Sequence, residues 1–340
     1  MSSLIGSGTI RPIMLVVVLW IIAALTASLV LAILIGAFLR SHVSEKPTPP
    51  AWAAFLSGQH YDHFIDRLSG ALQKAGLQST IANGIVSIVS HGSARQIPLR
   101  TFAEVCRGKR RGDWDKLLEP ELVKIMVDEH SVDLSNFDRV KDLLRLQLGA
   151  PPGLAADTMV GREHLPGVAT ILVLDLPGAV RTISPLEAVP WNQPLSELMQ
   201  IGLDHIRGMP APKIEEIELN DRVSAFAVTG ESPFTASNAL LLEEYPKLIG
   251  PWGAIVAVPT RNILLSFPIT SRAVSDALFR LAWITDRRWK DGPGSITPRL
   301  YWYRSGRFVH LPYEFSGEKF SLHPPWEFIA MLESMRGPYR

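Results

Sequence analysis

Between Arg11 and Arg40 the chain runs from Pro12 to Leu39 without one charged side chain. As a helix rising about 1.5 Å per residue, that run spans about 42 Å, more than the roughly 30 Å of a bilayer's hydrocarbon core. It therefore has length to cross with tilt. A helix pairs its own backbone polar groups, so Gly36, Thr26 and Ser28 do not prevent insertion. A cleaved signal peptide would have an apolar stretch of about 7–15 residues followed promptly by small residues. The best such site, Ala51-Trp52-Ala53, lies well beyond the run. The segment reads as a single membrane anchor.

Removing it changes the character of the chain. The 340 residues carry 34 Lys and Arg against 33 Asp and Glu, a net charge of +1. Only Arg11 and Arg40 fall within residues 1–40, so the remainder is balanced at −1. That balance argues against nucleic acid, whose binding needs a strongly basic face. The lone Cys106 excludes an internal disulfide. One flanking cation before the anchor (Arg11) and two after it (Arg40, Lys46) favour a cytoplasmic domain by a single charge, which leaves the sidedness open.

The chain then divides into a tail (1–11), a transmembrane helix (12–39) and a Pro-rich stalk (40–52). A helix-rich lobe with a hairpin (53–150) and a hairpin-and-helix lobe (151–340) follow, read as one continuous unit. Apolar residues from Tyr61 to Ala75 recur at helical spacing and stop at Gly76. Gln78–Ala82 and Ile85–Ser90 flank Asn83-Gly84, the strongest short hairpin signal. Helices are expected over Leu99–Cys106, Asp115–Val127 and Asn136–Leu148, the last opened by Ser135-x-x-Asp138. Loop composition runs from Ala150 to Gly167.

Beyond it, hairpins turn at Pro177-Gly178, Asn220-Asp221, Thr260–Asn262 and Ser305-Gly306. Helices follow over Pro194–Arg207, Thr235–Leu248, Arg272–Arg288 and after Pro324-Pro325. These repeated strand–strand–helix units predict an α+β fold of antiparallel β-hairpins alternating with helices. Late aromatics, including Tyr301, Trp302 and Tyr303, read as sheet–helix core, with alternation sending neighbours to opposite faces.

These segments resemble, in order and wording, the YtpQ-like family of bacterial proteins, which are mostly soluble and carry a domain of unknown function. The likeness runs over about residues 61–313. It rests on Gly253-Ala-Ile-Val-Ala-Val-Pro-Thr-Arg-Asn-Ile-Leu-Leu, on Phe234-Thr-Ala-Ser before a Leu-rich helix, and on Ile296-Thr-Pro. Asn262 stands where the family usually has an acid, and the anchor is an addition to its soluble form. The resemblance implies a fold and brings no activity, cofactor or catalytic residue.

Nothing in the chain spells a nucleophile elbow, a His-Glu-x-x-His pair, a P-loop or a dinucleotide fingerprint. No catalytic residue, metal or cofactor is expected. His60 and His63 share a helix face but lack further ligands. Cys106 precedes four basic residues yet falls on an apolar helix face. Arg107, Lys109, Arg110 and Arg111 are candidates for contact with anionic lipid or an acidic partner, or else a solvated loop. A ligand site, if present, is placed at Gly230, Thr235, Ser237, Arg261 and Asn262, where a strand leads into a helix start. The sequence thus predicts a single-pass protein of the bacterial cell membrane, held in the bilayer through residues 12–39. Its domain is expected to bind a protein or the membrane surface without catalysis. A ligand sensor or enzyme at that site, and a self-associating structural domain, are the alternatives.

Overall fold

In a computed structural model of the protein, the described residues are 49–90, 92–129, 133–149, 158–221, 223–316 and 319–335. The tail, the anchor and stalk residues 40–48 lie outside them. No helix of the described residues is long and apolar enough to cross a membrane.

Helix α1 (Gly58–Lys74) starts where the Ser57 hydroxyl accepts from the His60 amide, and it buries Phe64, Leu68, Ala71 and Leu72. That spacing makes one apolar stripe. The hairpin β1 (Ser79–Ala82) and β2 (Ile85–Ser90) turns on Asn83 and Gly84, both at positive φ, as a tight twisted hairpin requires. β3 (Ser93–Pro98) pairs with β2 and runs into α2 (Leu99–Cys106); α3 (Trp114–Glu129) follows. Phe102, Cys106, Trp114 and Leu118 join Phe64 and Leu68 in one core against Val86, Ile88 and Ile97.

The expected helix over Asn136–Leu148 is corrected. Only one helical turn forms at Phe137–Val140 and one 3-10 turn at Lys141–Leu143, before β4 (Leu144–Leu148) begins. Leu144, Leu146 and Leu148 also fit a period of two, and sheet pairing decides the matter. Ser135 does not cap this turn; its amide and hydroxyl both donate to Asp133. The stretch read as loop contains β5 (Gly161–Leu165), which pairs with β6 (Val168–Leu176). β6 turns through Pro177-Gly178 into β7 (Ala179–Thr182).

These strands form a seven-stranded sheet in the order β1-β2-β3-β7-β6-β4, with β5 also on β6. Pairing of β3 with β7 joins strands from both sides of residue 150. The sheet is curled: buried Gln96 on β3 donates to buried Gln147 on β4 at 3.3 Å, although two strands separate them in the order. Helix α4 (Leu195–Arg207) covers β4 and β6 through Leu198, Met199 and Ile206. Ahead of it, Ser184 and Glu187 close a capping box, and Glu187 also pairs with buried Arg181.

A second antiparallel sheet holds β8 (Lys213–Asn220), β9 (Val223–Thr229), β10 (Ala254–Thr260), β11 (Ile263–Pro268), β12 (Leu300–Arg304) and β13 (Arg307–Leu311). Its order is β13-β12-β10-β11-β9-β8. One face packs on α5 (Val274–Asp291) and α6 (Trp326–Ser334) through Ala277, Leu281 and Phe328. A small hairpin, Tyr313–Ser316 with Lys319–Leu322, completes that side. On β12, Trp302 joins this core while Tyr301 and Tyr303 join the opposite one, as strand alternation requires.

The opposite core joins the two sheets. Leu148, Leu165 and Val168 of the first meet Val228, Val256, Val258 and Leu264 of the second, with Ala236, Ala239 and Leu242 between. Those last three belong to the segment expected as a regular helix over Thr235–Leu248. It is a 3-10 helix, Thr235–Glu244, with non-helical backbone at Leu241 and a separate turn at Pro246–Leu248. Seven of its residues are buried. A short helix enclosed on several sides by sheets has no polar face to set a regular 3.6-residue stripe.

Candidate functional site

Gly230, Thr235, Arg261 and Asn262 come together at a junction of turns. The Gly230 amide donates to the Asn262 carbonyl at 3.3 Å, and the Ala236 amide to the Arg261 carbonyl at 2.8 Å. A Cβ on Gly230 would lie 2.6 Å from the Thr235 hydroxyl. The Asn262 side chain accepts from the Thr260 hydroxyl at 2.8 Å. Ser237 turns away, donating its hydroxyl to the Leu146 carbonyl across the inter-sheet core at 2.8 Å.

The helix start itself is occupied. Phe234 and Thr235 amides donate to Ser232, the Ser237 amide to Phe234, and the Thr235 hydroxyl to the Ser232 carbonyl. An anion therefore gains no free backbone donor from residues 234–237. What distinguishes the junction is Arg261. It is 7% exposed, and its guanidinium makes no hydrogen bond or ion pair with any described residue. Burial pushes its pKa down to about 10, leaving it cationic at neutral pH.

The basic cluster lies on the connection between α2 and α3. Arg107, Lys109, Arg110 and Arg111 are all exposed. Arg107 pairs with Glu104 at 3.3 Å and stands over the Phe55 ring at 5.0 Å. The ammonium of Lys109 and the guanidinium groups of Arg110 and Arg111 pair with no carboxylate among the described residues. Trp114 anchors the loop from below, its indole N–H reaching the Lys109 carbonyl at 3.4 Å. His60 and His63 pack near the same indole, at 6.2 and 5.4 Å between ring centres. Among the described residues, no group of three or more His, Cys, Asp and Glu side chains is placed to hold a metal. Cys106 is buried, and burial pushes its thiol up to about 11.

A third place is not apparent in the sequence. A cleft of about 410 Å³ opens where β5, α4, the 3-10 helix and the β12–β13 hairpin meet. Its polar wall holds Arg162, His164, Arg207, Glu243, Glu244 and Tyr303. Arg207 is committed to Glu244, with Nε 2.9 Å and Nη2 2.8 Å from Oε1, and it also pairs with Asp204. The Arg162 Nε–H donates to His164 Nε2 at 2.7 Å, which places the imidazole proton on Nδ1. Nδ1 is sealed from solvent without a partner among the described residues.

Burial, then the Arg162 charge, lowers the His164 pKa to about 4. Burial, then Glu243, raises Tyr303 to about 12. General acids and bases work best with pKa values near the operating pH. Both groups are moved away from neutrality. The residues come from distant segments and carry no shared motif, which is why the sequence does not disclose them.

Compared with protein-family models, with curated proteins and with solved structures, the chain matches none.

Proposed function

We propose that this is a single-pass membrane protein whose α+β domain works at the membrane surface as a binding module, without catalysis. Residues 12–39 would anchor it, and the exposed Arg107–Arg111 loop would meet anionic headgroups. The supporting observation is the placement of that loop: Arg107 covers Phe55, next to the point where the chain enters the domain from the stalk. Ala51 lies twelve residue steps beyond Leu39. Even fully extended they hold the entry point within about 43 Å of the anchor's end. Each basic residue close to an anionic leaflet contributes about 1 kcal/mol, and the effect fades within a Debye length. A tether of that length lets the loop reach the leaflet, where that short range applies.

The YtpQ-like resemblance and the repeated strand–strand–helix reading accompany this proposal as a statement of ancestry, and they add no chemistry. Carbonate extraction of native membranes, with protease treatment of intact and opened spheroplasts, tests the anchor and its sidedness. Retention in the pellet and a domain shielded until opening are expected. Release into the carbonate supernatant would remove the anchor.

A second reading is favoured by Arg261, a buried cation without a protein counter-charge: a ligand sensor at the turn junction with Gly230 and Asn262. The cleft beside His164 supplies neutral-pH binding groups to the same class of function.

A further inference from the structure

We propose that Arg261 is the anchoring residue of a small-oxyanion site, taking the phosphate or carboxylate group of a ligand at the junction of three turns. This deepens the sensor reading above and is independent of the membrane reading.

The site is built around the arginine. Its backbone N–H donates to the Gly294 carbonyl at 3.0 Å, and its carbonyl accepts from Ala236. Gly294 in turn donates to the Asn83 carbonyl at 2.7 Å, bringing the β1–β2 turn against the loop that follows α5. The aliphatic stem lies on Gly294, which sits at φ +67°. A Cβ there would come within 3.0 Å of Arg261 Cδ and 3.1 Å of Cγ. A glycine at this point therefore makes room for the stem and fixes the direction of the side chain.

The residue is more than nine-tenths buried, and its guanidinium, whose nitrogens are not sealed from solvent, makes no hydrogen bond or ion pair to any described residue. Buried charge is ordinarily paired, because an uncompensated ion gives up its hydration without return. In the same molecule the buried Arg181 follows that rule by pairing with Glu187. Arginine cannot escape by losing its proton at neutral pH. The planar fork of N–H donors matches an oxyanion held by two parallel hydrogen bonds. Such a ligand supplies the counter-charge that the fold omits. Since only 7% of the residue is exposed, the oxyanion must be the tip of the ligand, with any remaining bulk outside.

The test uses the full chain in neutral detergent, unfolded by heat in inorganic phosphate and in sodium chloride of equal ionic strength. A saturable rise in Tm with phosphate is expected for the wild type, and it should also appear in the K109E/R110E/R111E variant. It should be lost in Arg261→Met and reduced in Arg261→Lys. The ¹⁵Nε–H resonance of Arg261 should shift over the same concentrations. In a second arm, vesicles of phosphatidylglycerol replace phosphate. A resonance shift there without one in free phosphate would assign the oxyanion to a lipid headgroup. If neither arm moves the Arg261 resonance, or if Arg261→Met keeps the full phosphate-dependent rise, the site is refuted. Loss of the rise in the K109E/R110E/R111E variant with Arg261 unshifted would assign the effect to the basic loop and equally refute it. Should the Met variant fail to fold, the Lys variant and the resonance decide.

Discussion

The Arg107 guanidinium lies 5.0 Å from the centre of the Phe55 ring. That contact ties the basic loop between α2 and α3 to the first turns of the domain. A cation over an aromatic face contributes about 0.5–1 kcal/mol at an exposed site. Its larger consequence is positional, because it holds the loop that carries Lys109, Arg110 and Arg111 against Phe55 at the start of the domain.

Gly253 is where the second sheet tolerates no side chain. It sits at φ +89°, and a Cβ would lie 2.1 Å from the Tyr303 carbonyl oxygen and 3.0 Å from the Trp302 indole nitrogen. The obstacle is backbone, so it cannot swing aside. Gly253→Ala should cost about 3 kcal/mol, combining overpacking with left-handed strain. Urea unfolding measures it, and a loss below about 1 kcal/mol would show that β10 and β12 are spaced more widely than described.

His164 sets a pH window. Its folded-state pKa, lowered to about 4 by burial and Arg162, lies below the ordinary 6.5. Between those values the unfolded chain binds more protons, so stability rises with pH across the window and is lost as pH falls through it. His164→Gln should flatten that segment of the pH–stability curve. NMR titration should find the imidazole still neutral at about pH 5.5. An ordinary midpoint near 6.5 would contradict the sealed environment of Nδ1.

Cys106 is 1% exposed, and burial raises its pKa to about 11. Four neighbouring basic residues in sequence do not activate it, because the thiol points into the core with Phe64 and Trp114. A disulfide reagent at pH 8 should modify the native protein at least about a hundredfold more slowly than the urea-unfolded chain, since both access and thiolate are suppressed. Comparable rates would place the thiol at the surface.

The legible parts of the fold are those where a turn demands particular residues. Asn83-Gly84 and Ser305-Gly306 sit at positive φ, and such turns name their residues in advance. Long amphipathic helices such as α1 and α5 are equally plain. Short apolar runs are not: Leu144–Leu148 satisfies two periods, and only its pairing with Leu174 through Thr170 makes it a strand. Ser93–Pro98 and Gly161–Leu165 carry charged residues and little alternation, so their strand character comes from their neighbours. For the site, a sequence can nominate Arg261 from its place in a turn. That it is buried without a counter-charge depends on packing between segments far apart in the chain, as does the placing of His164 and Tyr303 on the wall of one cleft.

The central claim, that the domain works against an anionic membrane surface, is tested most directly on the full chain reconstituted into vesicles. Trypsin cuts after Lys109, Arg110 and Arg111, so its rate there reports whether the loop is free. In phosphatidylcholine vesicles containing phosphatidylglycerol, cleavage should be at least about tenfold slower than in phosphatidylcholine alone, consistent with about 1 kcal/mol for each engaged cation. High salt should restore the rate. Cleavage at the same rate in both vesicles at low salt would contradict the account.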